Sequence, residues 1–334
     1  MPLFLRFVAV RAALALFTLT VVSFIVFSLM ELVPGNCAER YIAYKNTQGN
    51  IVTQADIDAE IVRMGLDKPY VIRWVNWVGG VFIRGDFGDS CLWRVPVSQL
   101  VGEKFLLSLT IAMSALVITY LIAIPIGIAS ANLRGGMTDG VLRIVSYLGL
   151  ALPNFLLALM VMLFMTVYFG ETLTGLFSAE YKDAPWSWAR VGDLLKHIWL
   201  PIGILAWAAT AIALQTVRAL MSDEKDKLYV TAARARGVSG TRLLLRYPAK
   251  HALGPVINSI GYDLNRIFND LPIVATVLVL TDAGALLLEA LASSNDQQLA
   301  GAIIFMITGS IVFLNFITDI LLALIDPRVR RSMF

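Results

Sequence analysis

Charge is scarce in this sequence: only 15% of its 334 residues are Asp, Glu, Lys or Arg, whereas 58% are hydrophobic. Soluble domains hold about 25% charged and about 45–50% apolar residues, so the chain does not read as a water-soluble globule. Its 27 basic and 24 acidic residues leave a net charge of only +3. With no long basic run, nucleic acid is a poor partner. Two cysteines cannot build a disulfide framework, and without a CxxC or Cys/His cluster no metal site is expected. His197 and His251 are isolated and read as span-end residues. No Ser/His/Asp set, HExxH or paired-carboxylate arrangement stands out, so no catalytic residue is expected. A Gly-x-x-x-x-Gly-Lys-Ser/Thr phosphate loop is also missing, which places any ATP site outside this chain.

What is present is a series of apolar runs. Crossing the hydrocarbon core takes about 20 apolar helical residues, because lipid cannot satisfy exposed backbone groups. Residues 12–30, 105–133, 144–170, 197–217 and 297–318 contain no Asp, Glu, Lys or Arg. Residues 252–280 are long enough to span but carry Asp263, Arg266 and Asp270. The expectation is therefore an all-α integral membrane protein with six transmembrane helices. The first run follows Arg6 and Arg11 as a signal peptide would, but it exceeds a typical apolar signal core and no A-x-A-like site follows, so it is expected to stay as a helix. Cytoplasmic connections hold the Lys/Arg excess. Residues 1–11, 134–143, 218–250 and 326–334 together hold 15 basic and 5 acidic residues, against 11 and 16 in the alternating segments 31–104, 171–196 and 282–296. Both termini are thus expected in the cytoplasm.

The first external segment, residues 31–104, is too long for a simple turn. Thr53 and Asp56 resemble a capping box, followed by Ile57, Ile61 and Met64 at helical spacing and Gly65 as a stop. Trp74, Trp77, Val78, Val81 and Phe82 then form an aromatic and aliphatic group that suits either the lipid interface or packing onto the span ends. Cys37 and Cys91 both fall in this segment, where oxidation is permitted. A bridge between them and two free thiols are both open from sequence.

The longest cytoplasmic connection, residues 218–250, contains Tyr229-Val230-Thr231-Ala232-Ala233-Arg234-Ala235-Arg236-Gly237. Small residues make a compact helix, Gly237 suits its end, and the arginines give it positive charge. This segment resembles the EAA loop of ABC-importer permeases, in the form found in the inner-membrane subunits of the dipeptide/oligopeptide (peptide/opine/nickel) family. Tyr229, Val230, Ala233, Arg234, Ala235, Arg236 and Gly237 carry the likeness. Pro34-Gly35, Gly65 to Pro69, Gly85 to Ser90, Leu152 to Phe155 and Asp326-Pro327-Arg328 follow the family order over nearly the whole chain.

The resemblance implies a type I ABC-importer permease fold, with residues 1–334 as one transmembrane domain in a bacterial inner membrane. It implies a second homologous permease subunit, two cytoplasmic ATP-binding subunits holding ATP and magnesium, an extracytoplasmic solute-binding protein and surrounding lipid. This chain would bind no cofactor and would couple to an ATPase through Tyr229, Val230, Ala232, Ala233, Arg234, Ala235, Arg236 and Gly237. The cargo would be a peptide-like or polar solute such as an oligopeptide, opine or glycoside. An ATP-independent secondary transporter or channel is the alternative, and a membrane-anchored receptor a third.

The sequence departs from this family after Gly261. Asn269-Asp270 stands for a usual glycine pair, Ala275 to Leu278 for Glu-Thr-x-Phe, and Thr281-Asp282 for Pro-Gly. Asp263, Arg266 and Asp270 are spaced i, i+3, i+7, so a helix puts them on one side with Arg266 in reach of either carboxylate, and Asn265 and Asn269 beside them. Intramembrane charges tend to face a bundle interior or a watery cavity. The five residues therefore either line a translocation pathway or join this subunit to its partner.

Overall fold

The computed structural model describes residues 2–32, 35–49, 52–133, 136–170, 174–294 and 296–325. Pro34 and Asp326-Pro327-Arg328 lie outside them. The helices are α1 (Pro2–Leu32), α2 (Cys37–Thr47), α3 (Gln54–Arg63), α4 (Tyr70–Gly79, continued by a wider turn over Gly80–Arg84), α5 (Val97–Asn132), α6 (Met137–Ala151), α7 (Asn154–Phe169), α8 (Trp188–Lys225), α9 (Leu228–Ala235), α10 (Gly240–Arg246), α11 (Pro248–Val277), α12 (Ala283–Leu288, continued over Glu289–Ser293) and α13 (Gln297–Ile325). Among the described residues the only extended pairing is one isolated bridge, Asp89 to Pro96.

Among the described residues four helices are long and apolar enough to cross a membrane: Phe4–Leu32, Val97–Asn132, Trp188–Lys225 and Gln297–Leu324. The run at 144–170 is not the single straight span its composition predicts. It falls in two helices, α6 and α7, bent by 100°. Pro153 is the cause: its ring forces Leu152 out of the helical region, to φ −92° and ψ 117°. α11 contains most of the expected 252–280 span, with Asp263, Arg266 and Asp270 inside it, and is not in that apolar set.

The chain forms two compact units. In the first (Met1–Arg11, Leu109–Leu280, Leu314–Phe334), α8 packs against α11 and α6. Small residues allow the close approach on which helix association in lipid depends. A Cβ at Gly127 would lie 2.7 Å from Val217 Cγ1 and 3.2 Å from the Leu214 carbonyl, and one at Gly149 would lie 2.8 Å from the Ala211 Cβ. Val217 is fully buried and β-branched, so it has no rotamer into which to retreat. Gly127→Ala is accordingly expected to cost about 1–3 kcal/mol, read as a lower melting temperature in detergent; an unchanged midpoint would show that the crossing is looser than described.

Asp319 forms an ion pair with Arg11 at 3.0 Å. Asp139, 1% exposed, accepts from Ser130 Oγ and from both Nε and Nη2 of Arg218, each at 2.8 Å.

α11 ends with the Leu280 N–H on the Ala275 carbonyl (2.8 Å) and the Val279 N–H on that of Thr276 (3.2 Å), leaving Val279 left-handed at φ +53°. A β-branched residue is strained there by about 1–2 kcal/mol. Val279 is 64% exposed, so glycine would forfeit little packing, and its extra unfolded freedom offsets about 0.5–1 kcal/mol. Val279→Gly is expected to raise the melting temperature slightly; a fall would contradict the strain argument.

In the second unit (Ala12–Ser108, Thr281–Phe313) the segment after α1 is structured. Thr53 and Asp56 form the expected capping box on α3, and the bond from the Thr53 backbone, then that from its hydroxyl, hold the Asp56 carboxyl below its usual range. Trp74 and Trp77 pack on long helices: Trp74 against Phe24, with a bond to Ser23 Oγ at 3.3 Å, and Trp77 against Phe27 and Phe305. Arg73 grips Glu31 through two bonds of 2.8 and 2.7 Å. Cys37 and Cys91 are joined in a disulfide, Cα atoms 5.1 Å apart.

Candidate functional site

The motif residues come together as one helix. Lys227 is extended at the N-cap, and α9 then runs to its C-cap Arg236. Beyond it Gly237 takes φ +82°, the Val238 N–H reaches the Ala233 carbonyl (3.2 Å) and the Gly237 N–H that of Arg234 (3.0 Å). This is a Schellman end, which glycine enters without a Cβ penalty. Val238 packs with Val230, Ala233, Leu243 and Tyr247 in a small apolar cluster that fixes α9 on α10.

With Val230 and Ala233 buried, the other face carries Leu228, 87% exposed, with Thr231, Ala232 and Ala235 open beside it. Arg234 and Arg236 are exposed at the end of the helix. The face is made of small residues, apolar at its tip and with positive charge at its end, which suits insertion into a groove on another protein.

A groove of about 610 Å³ lies alongside, lined by Glu224, Lys227, Tyr229, Ala232, Ala233, Arg236, Tyr247 and His251. Tyr229 donates to Glu224 Oε2 at 2.5 Å and meets the His251 ring edge-on at 5.2 Å. Burial, then the Glu224 carboxylate, push the Tyr229 hydroxyl above its usual pKa. Glu224, also paired with Lys227, and Tyr247 were missed by sequence reasoning, and His251, read from sequence as an isolated span-end residue, meets Tyr229. They flank the motif rather than belong to it, and only the fold sets His251 against Tyr229.

α11 separates its polar residues more than their spacing suggests. Asp263 is buried and accepts from Tyr120 Oη at 2.5 Å; Asp270, half-buried, accepts from Asn154 Nδ2 at 2.8 Å. Arg266 makes a salt bridge with neither carboxylate among the described residues, and its Nη1 has no partner there. At about 100° per residue, Asp263 and Asp270 lie roughly 20° apart around the helix while Arg266 is about 40–60° to the side. One oxygen of each carboxylate accepts from a neutral donor instead, Tyr120 on α5 and Asn154 on α7. Asn265 and Asn269 fall on the opposite, open face, not beside the acids, with Asn269 Nδ2 3.3 Å from Asn265 Oδ1.

The family model described as binding-protein-dependent transport system inner membrane component matches residues 123–331, which include α9 and α11, and the corresponding N-terminal model matches residues 4–105. The chain belongs to this family of transport-system membrane components. It is an ABC-importer permease, and the reading as an ATP-independent carrier has no support. The permease is 28% identical to the oligopeptide transport system permease protein AppB of Bacillus subtilis, over 93% of this chain and 94% of that protein. It is 31% identical to the inner membrane ABC transporter permease protein YejB of Escherichia coli O157:H7, over 86% and 80%. Among solved structures, an inward-facing MetNI methionine ABC transporter chain aligns with TM-score 0.53 and 13% identity, over 68% of the permease and 97% of that chain. That likeness is one of fold.

Proposed function

We propose that the permease forms half of the translocation pathway of an ATP-driven importer of peptide-like solutes in a bacterial inner membrane, beside a second, related permease. The peptide class is supported by the likeness to AppB, an oligopeptide transport system permease. Six crossings are assigned to α1, α5, the bent pair α6–α7, α8, α11 and α13, within one transmembrane domain. The division of basic and acidic residues, 15 and 5 on one set of connections against 11 and 16 on the other, supports cytoplasmic termini. It also favours residues 31–104 facing a solute-binding protein outside.

The observation that carries the reading is α9, a short helix fixed by its buried face and open on the other, within the matched family segment. In residues 218–250 it docks on one of two ATPases, which hold the ATP and magnesium. Closure of the ATPase pair moves the two α9 helices together and switches the pathway between two states by rigid-body rotation. Proteoliposomes holding the complex and its binding protein are expected to take up peptides only with ATP inside the ATPase compartment. Uptake that continues without ATP would overturn the reading.

A further inference from the structure

We propose that Arg266 receives a carboxylate of the transported solute and so favours peptides with a free C-terminal carboxylate; this deepens the peptide-importer reading and rests on it. A guanidinium stays charged and offers five N–H donors in a planar fork. Within a membrane span such a charge is costly and is normally paired. Here both nearby acids are engaged elsewhere, Asp263 with Tyr120 and Asp270 with Asn154. Arg266 is half-buried, with Nη1 enclosed, and among the described residues no hydrogen bond engages Nε or Nη2. That edge of the fork is open to an acceptor from outside the chain.

The surroundings select among acceptors. Arg266 sits at the border between the buried side of α11 and an open side bearing Tyr262, 77% exposed, with Asn265 and Asn269. Their phenol and amide groups match the N–H and C=O groups of a peptide. Asp263 and Asp270 disfavour a doubly charged anion such as phosphate through like-charge repulsion, whereas a single carboxylate fits the fork with two parallel bonds.

The test is ATP-driven uptake, by the reconstituted complex with its binding protein, of a tripeptide with a free carboxylate and of the same tripeptide as its C-terminal amide. Since the binding protein is common to all arms, the informative quantity is the change in the acid-to-amide ratio on substitution. Arg266→Gln is expected to lower this ratio about tenfold, and Arg266→Lys, which keeps the charge but loses the fork, by less. An unchanged ratio in an intact Arg266→Gln complex would overturn the proposal. So would an Arg266→Gln chain that no longer retains its partner permease while Arg266→Lys retains it with wild-type discrimination, since the acceptor would then be a subunit carboxylate. Absence of any ATP-driven peptide uptake by the wild type would instead remove the underlying reading.

Discussion

Asp139→Ala is expected to destabilise the permease by about 3–5 kcal/mol, because it leaves a charge without compensation inside the protein. Arg218 presents two nitrogens to the Asp139 carboxylate and is itself mostly buried, 17% exposed at its side chain. Ser130 Oγ would lose its acceptor as well. The pair links the start of α6 to α8, so the expected defect is a lower melting temperature and poor recovery of folded protein in detergent. Replacing Arg218 with leucine in the same chain is expected to restore part of the loss, since removing both charges is far milder than removing one. A single variant as stable as the parent would mean that water reaches Arg218 and the pair is not the clamp described above.

A second large effect is expected at the open face of α9. Ala232→Arg and Leu228→Asp should each reduce ATP-dependent uptake at least about tenfold, the scale of losing a central interface contact worth about 2 kcal/mol. Both residues are exposed and outside the cluster that holds α9 on α10, so the melting temperature should hardly move. Arginine is a good helix former, and α9 itself should survive the first substitution. Loss of uptake without loss of stability separates a docking face from a structural one. Full uptake in both variants would place the coupling contact elsewhere.

The local features were legible in the sequence because local rules decide them. The stop at Gly237 and the capping box at Thr53 and Asp56 follow from capping chemistry and spacing. The break between α6 and α7 was written in Leu152-Pro153 but masked by the apolar composition on either side. Charge spacing put Asp263 and Asp270 on one side of α11 with Arg266 in reach of either, but could not show which donors they meet, because Tyr120 and Asn154 lie 143 and 116 positions away in the chain. The same distance in sequence hid the groove beside α9, where His251 meets Tyr229 only after α10 has turned the chain back.

The most direct test of the central claim uses the chemistry of the cysteines. Cys37 and Cys91 are consumed in their disulfide, so Ala232→Cys introduces a single reactive thiol on the open face of α9. In the purified complex, a short thiol-directed crosslinker is expected to join that position to an ATP-binding subunit, with a yield that changes when nucleotide closes the ATPase pair. A thiol that stays freely labelled and uncrosslinked in every nucleotide state, in a complex still importing solute with ATP, would contradict α9 as the coupling helix.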